Sequence, residues 1–256
     1  MKAIKFILGM IMMMPFLSMI NPVPETITIA AASDLKFALD SLVGDFKKSN
    51  PGAEIKVIYG SSGKLSEQIM NDAPFDLYFS ADISYARKLR ESGLATTDPK
   101  VYGVGRIVLW SKTMDPNKDK LNLLLNPDVK KISIADPAHA PYGQRADESM
   151  HFYKVYAQVK DKLVFGENIS QAAQFVTTGA ADVGIIALSL ALSPAMQQEG
   201  GKYYLIPEES HSKLEQAYVI LKHAAGNDLA KAFYDYVSSP PAKKVLKYYG
   251  FSEKSS

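Results

Sequence analysis

Residues 26–60 read TITIAAASDLKFALDSLVGDFKKSNPGAEIKVIYG, and this stretch decides the fold. It opens on a β-branched run, 26–31, that passes into three alanines, the pattern of a short strand. Ser33 then precedes apolar residues at Leu35, Leu39, Leu42, Val43 and Phe46, spaced i, i+4, i+7, i+8 and i+11. That spacing is one face of a helix, with Ser33 reading as its N-cap. Asn50-Pro51-Gly52 stops the run, and a second strand is expected over 54–59. Strand, helix and strand in this order form the unit from which mostly parallel α/β sheets are built.

The alternation continues outward from this unit. Further strands are expected over 75–80, 106–110, 131–135, 182–187, 203–206 and 216–221. Helices are expected around Leu65 and Ile69, over 85–94 with Gly93 inside the last turn, and from an Asn168 cap through Ala172, Phe175 and Val176. A terminal pair over 229–237 and 242–249 is split by Pro240-Pro241. Eight short strands exceed the roughly 5 to 6 of a mean sheet, so two α/β lobes are expected.

The chain has 256 residues, 47% hydrophobic and 22% charged, with no Cys. Those are globular values, which exclude disorder and a polytopic membrane protein. Without Cys there is no disulfide framework, thiolate metal site or cysteine nucleophile. Six of the ten Met lie in the first 19 residues, where Lys2 and Lys5 precede an uncharged apolar run. The run, from Phe6 to Ile20, is shorter than the roughly 20 residues a membrane span needs. Residues 1–24 therefore read as a cleavable signal peptide, and a soluble periplasmic protein without a lipid-bearing cysteine is expected. Removing Lys2 and Lys5 leaves 27 basic side chains against 27 acidic ones. A neutral mature chain carries no nucleic-acid footprint.

The chemistry-bearing feature is a junction that recurs four times, a strand feeding small or hydroxyl residues that open a helix. It occurs at Ala32-Ser33, at Gly60-Ser61-Ser62-Gly63, at Asp136-Pro137 through Pro141-Tyr142-Gly143, and at Asn168-Ile169-Ser170. Each presents free backbone N–H groups and the positive end of a helix dipole. Such junctions sit at the carboxyl ends of strands, where open sheets bind ligands. The implied ligand is an anion read by neutral donors. A rival reading takes Ser61 and Lys64 as the Ser-x-x-Lys of a serine acyl-transfer enzyme, but Ser-Asp-Asn and Lys-Thr-Gly are both missing. Asp136 with His139 lacks a defined nucleophile, and Glu208-Glu209-Ser210-His211 is a weak metal motif that reads better as a solvated turn. Exposed acids such as Asp34, Glu91, Glu208 and Glu209 read as solvated surface.

At these residues the sequence resembles the periplasmic molybdate-binding proteins of ABC importers, of the ModA type. The signposts are Ala30-Ala31-Ala32-Ser33, Ser61-Ser62-Gly63-Lys64-Leu65, the run from Pro74 to Asp82, Asp136-Pro137 with Pro141 and Gly143, Gly184-Ile185-Ile186, and Ala232-Phe233 ahead of Tyr249-Gly250-Phe251. The resemblance implies a type II periplasmic binding protein with two crossover strands as hinge. Lobe 1 would comprise 25–104 plus 217–256, and lobe 2 would comprise 105–216. It also implies a monomer that binds molybdate or tungstate and partners a membrane permease and an ATPase. The bound oxyanion would be the only metal, with no cofactor and no separate cation site. Ser33 and Ser62 match the family's serine ligands, while Tyr142 and Ile169 match positions that give backbone N–H groups. Ser61, Ala187 and Asn168 stand in second rank. Ala187 departs from the pattern, since well-known members carry a tyrosine there, and the phenol of Tyr142 is the expected substitute. A site made only of donors would refuse hydrogen phosphate, whose proton meets no acceptor. Sulfate differs mainly in size, which leaves a sulfate- or thiosulfate-type receptor as the alternative within the binding class.

Overall fold

The computed structural model describes residues 26–253, so the expected signal segment lies outside the described residues. Ten strands form two five-stranded sheets. The strands are β1 (Thr26–Ala32), β2 (Glu54–Gly60), β3 (Leu77–Ser80), β4 (Lys100–Gly105), β5 (Ile107–Ser111), β6 (Ile132–Ala135), β7 (Leu163–Gly166), β8 (Val183–Ala187), β9 (Lys202–Leu205) and β10 (Leu214–Ile220). The first sheet has the order β2-β1-β3-β10-β4 and the second β7-β6-β8-β5-β9. In both, three parallel strands are followed by an antiparallel one, β10 or β5. The two-lobed α/β architecture expected from the sequence is the one present. No helix among the described residues is long and apolar enough to cross a membrane.

The chain passes between the sheets twice. The first passage is a single residue, Arg106, between β4 and β5; the second is the segment 206–213 between β9 and β10. β10 carries a register shift at Gln216/Ala217 in its pairing with β4. A bulge of this kind re-aims a side chain, and here it accompanies a buried Gln216 amide turned toward the space between the sheets.

Register explains why the junctions meet. β1 pairs with β2 residue for residue, so Ala32 and Gly60 end side by side and Ser33 and Ser61 emerge together. Ala135 likewise pairs with Gly166, which brings Asp136 and Glu167 out at one edge of the second sheet. The helix Lys36–Ser49 buries Ala38, Leu39, Leu42 and Phe46 on the first sheet, with Phe46 edge-on to Phe233 at 5.2 Å. Leu39, Leu42 and Phe46 each contribute about 1.5–3 kcal/mol by leaving water.

Three local expectations need correction. Ser33 is no N-cap: it begins a short 3-10 turn, Ser33–Leu35, and its hydroxyl makes no capping bond. Gly93 lies beyond the helix Ile83–Glu91, at φ +72°, rather than inside its last turn. Strands β4 and β7 were not expected at all, and both lie at sheet edges.

Candidate functional site

The four junctions converge on one cavity between the sheets, lined by Ala32, Ser33, Asp34, Gly60, Ser61, Ser62 and Ala81 from the first and by Ala140, Pro141, Tyr142 and Ile169 from the second. The space open to the centre of a water molecule is about 10 Å³. With water's own 1.4 Å radius added, that is a void of radius about 2.7 Å. It has room for one small compact ion.

Ser62 is the first residue of the helix Ser62–Met70, so its N–H has no partner within that helix. Its Oγ accepts the Ala81 N–H at 3.0 Å, which leaves the hydroxyl proton free to donate. The phenol of Tyr78 donates to the Ser62 carbonyl at 2.8 Å and fixes the turn. Ser61 is buried with its Oγ unpartnered. On the other side, Ile169 opens the helix Ile169–Thr177 and Tyr142 is the second residue of Pro141–Phe152. Both contribute N–H groups at positively polarised helix ends.

Other candidates are committed elsewhere. The Ser33 hydroxyl donates to Asn168 Oδ1 at 3.1 Å and accepts the Ser170 N–H at 3.3 Å. The Asn168 carboxamide caps its own helix through Ser170 and Gln171, and the residue does not line the cavity. Ala187 is buried at the end of β8, opposite Ile107, and does not line it either. Tyr142 Oη donates to Asp34 Oδ2 at 3.0 Å. A phenol has one proton, so in this arrangement it has none for an anion, against the expectation that it replaces a hydroxyl at Ala187.

Asp34 is the residue that the sequence reading misplaced. It is 1% exposed and lines the cavity. Its Oδ2 accepts from Tyr142 and, at 2.9 Å, from Gln216 Nε2, while Oδ1 is buried without a partner. Burial pushes the carboxyl up to about 6, against the lowering pull of the Gln216 and Tyr142 hydrogen bonds and of the nearby Asp34 and Leu35 backbone N–H groups. Burial and the Asp34 charge together hold the Tyr142 phenol well above its ordinary value. The available signal was periodicity: Asp34 lies four residues before Ala38 and eight before Leu42, on the buried face. The wall is therefore not made of donors alone, and the expected exclusion of hydrogen phosphate for want of an acceptor does not follow. Gly105 gives this group its room, because a Cβ there would meet Gln216 Nε2 and Tyr142 Oη and force one of them to shift.

Side chains also join the two sheets around the cavity. Arg145 Nη2 bonds Asp82 Oδ2 at 2.6 Å, with the guanidinium 8% exposed, and Nη1 bonds Glu148 at 3.0 Å. Lys64 Nζ reaches Glu167 Oε1 at 3.0 Å. The main chain contributes Gly63 N–H to His139 O at 2.9 Å; a Cβ at Gly63 would lie 2.6 Å from that oxygen.

The enzyme and metal motifs come apart. The Lys64 ammonium is engaged by Glu167, and Ser61 Oγ has no base among the described residues. His139 stands 3.8 Å from Asp136 and bonds no serine. Glu208 pairs with Arg106, and no group of three or more His, Asp or Glu suited to a metal ion occurs among the described residues.

Comparison with known proteins follows the same lines. Residues 27–252 match the family model described as bacterial extracellular solute-binding protein. The molybdate-binding protein ModA of Rhodobacter capsulatus is 35% identical over 229 residues, 89% of this chain and 88% of that protein. The ModA of Azotobacter vinelandii is 33% identical, covering 88% and 89%. The solved structure of the Azotobacter vinelandii periplasmic molybdate-binding protein superposes with a TM-score of 0.81 at 26% identity, over 90% of this chain and 100% of that one.

Proposed function

The chain belongs to the bacterial extracellular solute-binding proteins, and from that premise we propose that it captures molybdate, and tungstate alike, and hands the ion to the permease and ATPase of an ABC importer. It is a binding protein and not an enzyme. The observation that carries the reading is the convergence of the junctions on a void sized for one small ion, with the Ser61 and Ser62 hydroxyl protons unspent. Relatives named for molybdate, alike over almost the whole chain, support the choice of oxyanion.

In this reading Ser62 and Ser61 donate through hydroxyls, and Ser62, Ser33, Tyr142 and Ile169 offer backbone N–H groups. The ion is cargo, held without a resident cofactor or separate cation. Lobe 1 is 25–104 plus 217–256 and lobe 2 is 105–216, a division supported by sheet membership, although its boundaries fall inside β4, by one residue, and inside β10. The lobes open and close about the two passages, and the protein acts as a monomer in the periplasm. Scattering profiles of the free protein and of the protein with molybdate should differ; identical profiles would remove the closure step.

Calorimetry with molybdate, tungstate, sulfate and phosphate tests the reading. Molybdate and tungstate should bind with closely similar Kd, and sulfate far more weakly because a smaller ion leaves donors unmatched in a void of fixed radius. Sulfate binding tighter than molybdate would make the chain a sulfate-type receptor. Binding of none of the four would overturn the oxyanion assignment.

A further inference from the structure

The wall of the cavity holds a feature that a store of neutral donors does not need. Asp34 lines the void, is all but inaccessible to solvent, and leaves Oδ1 with no hydrogen-bond partner. Its surroundings offer no compensating charge. The helix Pro141–Phe152 contributes the Tyr142 phenol, β10 the Gln216 amide, β4 the Tyr102 phenol, and the helix Leu188–Ala191 the Ser189 hydroxyl, which bonds the Asp34 carbonyl at 2.8 Å. Burial holds both phenols neutral. No Lys, Arg or His pairs with Asp34 among the described residues, and Arg145, Lys64 and Arg106 are engaged by Asp82, Glu167 and Glu208.

A dianion in this void would face an unpaired carboxylate at close range with no water between them. The repulsion acts in a medium of low dielectric, where charges interact far more strongly than in water. One protonation removes it. The proton belongs on Oδ1, because Oδ2 already accepts two hydrogen bonds. A carboxyl protonated there also turns a bare acceptor into one more donor.

Building on the oxyanion reading above, we propose that Asp34 is a proton-linked residue of the binding wall that enters the closed complex protonated, so that each dianion captured takes one proton from solvent into the wall and returns it on opening. The closed arrangement is suited to this, since burial there, with Tyr142 and Gln216 packed on it, places the Asp34 carboxyl at about 6 rather than at 3.8. A nearby dianion raises it further. Linkage then requires affinity to fall as pH rises. At pH values above the range where the open-state carboxyl is protonated, the proton must be taken up on closure, and Kd rises about tenfold for each pH unit.

The test is calorimetry of the mature chain with sodium molybdate at pH 6, 7 and 8, each in two buffers of different ionisation heat. The expected result is close to one proton taken up per molybdate at pH 8, with Kd rising about 50- to 100-fold from pH 6 to pH 8. Asp34→Asn should bind with no proton exchange and a Kd flat across this range. Wild-type binding with no proton exchange and a flat Kd overturns the proposal while leaving the oxyanion reading intact. An unchanged slope in Asp34→Asn overturns it too. If that variant does not fold, the wild-type proton count decides by itself. A protein that binds no oxyanion at any of the three pH values overturns the oxyanion reading, and this proposal with it.

Discussion

The junctions at Ser33-Asp34 and Ser61-Ser62 leave neighbouring strands at the same level, and they have been put to different uses. At Ser61-Ser62 one hydroxyl is unpartnered and the other only accepts, from Ala81, so both protons remain available. At Ser33-Asp34 the hydroxyl is given to Asn168 on the opposite sheet, and the next side chain is a buried acid held by Tyr142 and Gln216. One junction is organised around the void and the other around the facing lobe. Equal residue types at equal heights in a sheet do not imply equal roles; what matters is which partner the rest of the fold brings within reach.

Four substitutions can break or sharpen that contrast. The largest effect is expected at Asp34. Its pKa is raised in the folded state, so between 3.8 and about 6 the folded chain binds more protons than the unfolded one, and stability falls as pH rises through that window. Asp34→Asn should match wild type near pH 3.5 and exceed it at pH 8 by up to about 3 kcal/mol, the limit for a carboxyl that stays buried without ligand, read by urea denaturation. Equal stabilities at pH 8 would mean that the acid is not strained by burial.

Next comes Ser62→Ala, which removes a hydroxyl free to donate to the ion. A hydrogen bond to a charged group is worth about 1.5–3 kcal/mol, so molybdate Kd should rise about 30-fold. Ser33→Ala should cost less, about 1 kcal/mol or roughly fivefold in Kd, because it deletes a neutral bond to Asn168 rather than a ligand bond. If calorimetry places Ser33→Ala above Ser62→Ala, the assignment of the two junctions is reversed. The smallest effect belongs to Lys64→Ala. Both partners of the Lys64–Glu167 pair are substantially exposed, so its loss should change Kd less than fivefold, and less still at high salt.

Most of the scaffold was legible in the sequence, and the reasons for the rest are local. The β-branched runs at β1 and β2 and the periodic face of Lys36–Ser49 announce themselves, since both are set by burial against one layer. β4 carries two glycines and β7 is a four-residue edge strand with Phe165 half exposed, so neither shows a buried run or clean alternation. At the site, the hydroxyl junctions could be listed from spacing, but not which hydroxyls would be spent. Ser33 is satisfied by a residue 135 positions away, and Asp34 is buried by partners 108 and 182 positions away. No local pattern contains such distances. A charge next to a serine reads as solvated until its tertiary neighbours are known.

The passage between β4 and β5 consists of Arg106 alone. Consecutive Cα atoms are about 3.8 Å apart, so the last residue of one strand and the first of the next stay within about 7.6 Å whatever the rest of the molecule does. The two halves cannot be drawn apart there, nor can one glide along the other. Relative motion of the two halves is thereby restricted to turning about a fixed point, as a door turns on its pin, and a gap opened by such a turn would grow with its distance from that pin.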